Sequence, residues 1–120
     1  MAPDFYHRKK GMAPEEAVNF RLDDDVIADI SATVDHIDSL DNSNSSRMAI
    51  MGHCMGGRTA YLGACVLSDR FKLCIPFYSG GAFSPWGGGP SVFDRFDSLK
   101  STVYGFYGND DKNPSIDGRR

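Results

Sequence analysis

Cysteine is scarce in this chain: three residues, Cys54, Cys65 and Cys74, among 120. An odd number without a Cys-x-x-Cys pair or zinc-type spacing excludes a disulfide framework and argues against a metal site; it fits a reducing compartment. No apolar run approaches the roughly 20 residues that cross a bilayer, so no membrane partner is expected. The first ten residues place their basic side chains behind the apolar ones and hold no hydrophobic stretch, unlike a secretory signal. A cytoplasmic location is the expectation. Long lysine or arginine clusters are also missing and the formal net charge is −3, which disfavours a nucleic-acid surface built on clustered cations. Nothing calls for a cofactor. The densest charge run, Asp23-Asp24-Asp25, suits the first turn of a helix, where the dipole favours acids; consecutive helical residues diverge around the axis and do not converge on a metal.

What the chain does have is glycine at telling positions. Gly52-His53-Cys54-Met55-Gly56-Gly57 follows the apolar run Arg47-Met48-Ala49-Ile50-Met51 and precedes a helix-compatible stretch from Thr59 to Leu67. That order predicts a nucleophile elbow carrying cysteine: a strand over 47–52, Cys54 at a strained turn, and a helix starting near Gly56. Gly52 and Gly56 are expected to let the turn and its neighbouring backbone approach, and Gly57 to let the helix pack closely. A Cys54 thiolate would sit at the helix N-terminus, where the partial positive charge favours an anion. The Met55 N–H would face a developing oxyanion. The competing reading makes Cys54 a buried small hydrophobe in a tight turn.

Around the elbow, strand-like and helix-like patterns alternate. Ala2 to Tyr6 reads as the tail of a strand, with an irregular connection over 9–14. Val26, Ile27, Ile30, Val34 and Ile37 form the apolar stripe of a helix whose other side carries Asp29, His36 and Asp38. After the polar breaker 41–46 and the elbow, Leu73 to Tyr78 reads as a strand made less regular by Pro76. A long loop over 80–97 holds the only tryptophan, Trp86, expected in a packed lid or pocket wall. A last strand, Thr102 to Tyr107, runs into Gly108-Asn109-Asp110-Asp111. Together these predict an α/β domain whose parallel sheet has helices on both faces.

A cysteine nucleophile needs a base, and the base needs a carboxylate to orient it. In an elbow fold the acid follows a later strand and the histidine follows the acid. Asp110 and Asp111 stand after the strand ending at Tyr107. Asp111 is the expected acid, set against the reading of a solvated surface turn. No histidine follows it; His7, His36 and His53 all precede the nucleophile. His53 is expected to face away from the thiol because neighbours along a strand alternate sides, His36 lies on the polar side of its helix, and His7 has nothing evident to orient it.

These residues resemble the dienelactone hydrolase family, the cysteine-bearing branch of the α/β-hydrolases. The resemblance is carried by Ala2-Pro3-Asp4-Phe5-Tyr6-His7-Arg8, by the elbow through Arg58, by Pro76-Phe77-Tyr78-Ser79-Gly80-Gly81, by Pro85-Trp86-Gly87, and by Gly108-Asn109-Asp110-Asp111-Lys112-Asn113-Pro114. It implies that residues 1–120 are one partial domain, the central fragment of an α/β-hydrolase fold with a mostly parallel sheet flanked by helices. Relative to the family, the first strands, a loop with a second oxyanion donor and a glutamate beside the resting thiol are missing upstream, and the triad histidine segment is missing downstream. The resemblance further implies hydrolysis of a small-molecule enol-lactone or ester through a cysteine acyl-enzyme without metal or cofactor. Cys54 is then the nucleophile, the Met55 amide an oxyanion donor, Asp111 the triad acid, and Arg8 a residue near the substrate carboxylate. Trp86 is the candidate pocket residue. The missing histidine supports an alternative, a catalytically inactive remnant acting as an interaction module. A thiol redox protein is a third reading, without an evident resolving cysteine. Oligomeric state is not legible.

Overall fold

In the computed structural model, which describes residues 1–115, the apolar run before the elbow becomes strand β1 (Met48–His53). Helix α3 (Met55–Val66) follows at once, and then strand β2 (Phe71–Phe77). β1 and β2 pair in parallel, with Ile50 opposite Cys74 and His53 opposite Phe77. A short parallel strand, β3 (Thr102–Val103), completes the order β1-β2-β3. Ahead of β1 lie α1 (Pro14–Ala17) and the long helix α2 (Asp23–Asp38). No helix among the described residues is long and apolar enough to cross a membrane.

The core explains how these pieces stack. Val26, Ile30 and Val34 of α2 meet Met48, Leu62 and Phe71, while Ala60 and Ala64 of α3 cover Cys74. Small residues on α3 permit this close approach: a Cβ at Gly63 would lie 2.7 Å from Ile50 and 3.0 Å from Ile30. α2 therefore packs on α3, on the sheet face that carries Ile50 and Cys74, and does not cross to the other side. On the opposite face Met51, Tyr104 and Phe106 are 56%, 59% and 52% exposed. The expectation of helices on both faces is thus corrected: among the described residues they cover one.

Three further expectations change for local reasons. Residues 2–6 form no strand, because the Asp4 carboxylate accepts the Tyr6 N–H at 2.9 Å and turns the chain into a 3-10 helix, His7–Lys9. The last strand is short because Pro76, in the neighbouring strand, has no N–H to donate. Tyr104 and Phe106 still donate to the carbonyls of Cys74 and Pro76 at 3.0 Å each, and Tyr78 donates to Phe106 at 2.7 Å, but the ladder lacks its donor between them and only an isolated bridge remains at Phe77 and Phe106. Within the loop over 80–97, Ser91 and Asp94 cap one another, the Asp94 carboxylate accepting the Ser91 N–H and O–H at 2.9 and 2.7 Å, and a 3-10 helix, Phe93–Ser98, follows.

Candidate active site

Cys54 stands between β1 and α3 with φ 55° and ψ −120°, in a region that costs a non-glycine residue about 1–3 kcal/mol. Its backbone is held at both ends. The N–H donates to the Phe77 carbonyl at 3.0 Å, and the carbonyl accepts the N–H groups of Gly57 at 2.9 Å and Arg58 at 3.4 Å. With the main chain so committed, the side chain projects from the carboxyl end of the sheet and the thiol is exposed. Met55 is the first helical residue. Like other first-turn amides, its N–H has no carbonyl one turn earlier in the helix to bond, which suits it to an oxyanion. The Tyr6 hydroxyl reaches the Met55 sulfur at 3.7 Å.

The three glycines are not equivalent. A Cβ on Gly52 would sit 2.1 Å from the Gly56 carbonyl oxygen, and one on Gly57 would sit 2.8 Å from Ser79 Cβ. A Cβ on Gly56 would meet nothing within 4 Å. The close approach expected of both Gly52 and Gly56 is thus made possible by Gly52 alone.

Behind the elbow lies a cluster that sequence reasoning missed. Arg58, one turn after Cys54 and 1% exposed, donates to both Asp23 oxygens at 2.7 and 3.0 Å and to the carbonyls of Gly81 at 3.1 Å and Ser84 at 2.8 Å. Asp23 also accepts the Trp86 N–H at 3.0 Å and returns its own N–H to the Trp86 carbonyl at 2.7 Å. The first turns of α2 and α3 and the loop after β2 are thereby tied together. Arg21 joins them, its guanidinium 4.0 Å from the centroid of the Trp86 ring. Burial draws Arg21 below the ordinary arginine pKa; the charges of Tyr6, Cys54 and Asp23 act against that shift and Arg58 acts with it.

Asp111 follows the bridge between Phe106 and Phe77 in the chain, within a turn. Its N–H donates to the Gly108 carbonyl and its carboxylate accepts the Asn113 N–H, both at 3.2 Å. Arg8 is engaged on α2, with Nη1 2.7 Å from Asp29 and Nε 3.8 Å from Asp25. Asp29, expected on the polar side of its helix, is buried and also lies 3.0 Å from His7 Nε2. Burial acts to raise the Asp29 carboxyl, but the hydrogen bonds and charges of Arg8 and His7 outweigh it and hold the group below the usual carboxylate range. His53 stacks on Phe77 with ring centroids 4.6 Å apart, and His36 is exposed on α2. No group of three His, Cys, Asp or Glu side chains among the described residues is arranged to hold a metal ion.

The dienelactone hydrolase family model matches residues 1–119. A protein of Synechocystis sp. named as a candidate carboxymethylenebutenolidase is 28% identical over 124 residues, an alignment covering 92% of this chain and 49% of that protein. The chain therefore spans about half the length of the curated relative it matches. No solved structure gives a significant match. The family match extends over almost every residue from the turn at Asp4 through the cysteine elbow to the turn at Asp111, and the chain belongs to the dienelactone hydrolase family.

Proposed function

We propose that this chain carries the nucleophile region of a small-molecule ester or enol-lactone hydrolase acting through a Cys54 acyl-enzyme. The observation that carries the reading is the exposed thiol on a left-handed, doubly tethered backbone at the start of α3. In the first half-reaction the Cys54 S–H proton passes to the base, the sulfur bonds to the acyl carbon and the carbonyl electron pair moves onto oxygen, where the Met55 N–H stabilises it. Collapse of that adduct breaks the bond to the leaving oxygen, which takes that proton as it departs as enol or alcohol, and leaves a thioester. Water, giving one proton to the base, then attacks the thioester; the C–S bond breaks, a carboxylic acid is released and the sulfur recovers the proton from the base.

Asp111, which follows the last strand as the resemblance requires of the triad acid, is the acid that would orient the base. The base in this reading is the family's triad histidine, placed after Asp111 by the resemblance. The present histidines are otherwise occupied: His7 on Asp29 and His53 on Phe77, with His36 on the outer side of α2. Arg8, paired with Asp29 and Asp25, is the cation that the resemblance places near a substrate carboxylate.

Exposing the 120-residue chain to 4-nitrophenyl acetate and mapping adducts by mass spectrometry tests the chemistry. One acetyl group on Cys54, absent from Cys54→Ala, is expected. Oxidation of Cys54 without acylation would favour the redox reading, and an unmodified thiol would favour the inert remnant.

A further inference from the structure

The sheet face turned away from α2 and α3 has no cover among the described residues. The register sets Met51 beside Ile75 and His53 beside Phe77, and the chain after β3 adds Tyr104 and Phe106, whose N–H groups donate to the carbonyls of Cys74 and Pro76. Met51, Tyr104 and Phe106 stay more than half exposed there. Rings from three neighbouring segments form a row, His53 stacked on Phe77 with centroids 4.6 Å apart and Phe77 on Phe106 at 4.9 Å. Stacking holds these rings in place before any partner arrives, so little side-chain freedom is lost on contact. No Asp, Glu, Lys or Arg occupies the alternate positions that share this face, counted onward from Ala49, Leu73 and Thr102.

The exposed area of the chain points the same way. It is 7496 Å², whereas a folded monomer of 13.2 kDa exposes about 6,400 Å². The excess of about 1,100 Å² is larger than the roughly 800 Å² that each partner gives to an interface of standard size. A chain of net charge −3 repels its own copy over much of its surface, but two copies of this face bring no like charges together. We propose that the face is the contact between two copies of the chain, packed sheet to sheet about a two-fold axis that runs between them. The pairing draws on no step of the Cys54 chemistry, so it stands or falls apart from the hydrolase reading.

Sedimentation equilibrium of the 120-residue chain, from about 1 to about 100 µM, tests this. The mass should rise to twice that of the chain and stop there. Phe106→Asp and Met51→Lys each put a charge on the face at a position more than half exposed, where the core is untouched. Both variants should remain monomeric to at least about tenfold above the midpoint of the parent. A parent that stays monomeric throughout, leaving the face to another polypeptide or to a lipid surface, overturns the proposal. So does a mass that keeps growing past two copies, and so do folded variants that pair as the parent does. Should neither variant fold, hydroxyl-radical footprinting of the parent decides. Oxidation of Met51, Tyr104 and Phe106 should fall severalfold as concentration crosses the midpoint, and unchanged oxidation of the three overturns the assignment of this face.

Discussion

Gly52 carries the steric demand of the elbow. Any side chain there places its first carbon 2.1 Å from the Gly56 carbonyl oxygen, and that carbonyl belongs to the first turn of α3 and cannot swing aside without breaking the helix start. Gly52→Ala is therefore expected to destabilise the fold by about 3 kcal/mol, at the upper end of overpacking costs. Gly56→Ala should be nearly neutral, since its Cβ meets nothing. Thermal denaturation of the two variants checks the contrast, and equal losses would show that the elbow is not built as described. The elbow was legible in the sequence because it is local: a strand pattern, a turn and a helix start fall within about 20 residues and share one rule. Which glycine bears the contact was not legible, because that depends on the direction each Cα–Cβ bond takes across the turn.

At the scale of elements, α2 shows where sequence reading stops. Its apolar stripe was plain, and Asp23 lies in line with it one turn before Val26, but Asp29 is buried on a face that periodicity assigns to solvent. Their partners, Arg58 and Arg8, are 35 and 21 residues away in the chain, and no local pattern announces such pairs. Removing one member of a buried pair strands the other, so Asp23→Ala is expected to cost about 3–5 kcal/mol. Asp29 adds a pH dependence whose sign follows from its lowered carboxyl pKa. Its stabilising effect is complete above the unfolded-state value near 3.9 and is lost as pH falls through the lower folded value. With Arg8 and His7 both partly exposed, that contribution is screened to about 1 kcal/mol. Urea titrations between pH 3 and 7 should show Asp29→Asn less stable than the parent at pH 7 and nearly equal to it at the acid end. A constant difference across the range would mean that the pair does not titrate as described.

Across the whole molecule, the α/β character and the parallel pairing were readable from strands alternating with a crossover helix. The one-sided stacking was not, because α2 chooses α3 through the fit of Ile30 against Gly63. Cys74 is buried between α3 and the sheet and Cys65 is buried on α3, while Cys54 is left outside. Burial raises the thiol pKa of Cys65 to about 11 and of Cys74 to about 12. At pH 8 about one molecule in a thousand would carry the Cys65 thiolate and one in ten thousand the Cys74 thiolate, even before access is considered. A disulfide reagent such as 5,5′-dithiobis(2-nitrobenzoate) should therefore titrate one thiol rapidly in the native chain, and Cys54→Ala should abolish that phase. The other two should react together, at a rate that rises with urea as global unfolding does, because both are buried in the folded chain. Fast reaction of three thiols in the absence of denaturant would show that the α3–sheet layer opens in the 120-residue chain, and the positioned elbow would then lack the support on which its chemistry depends.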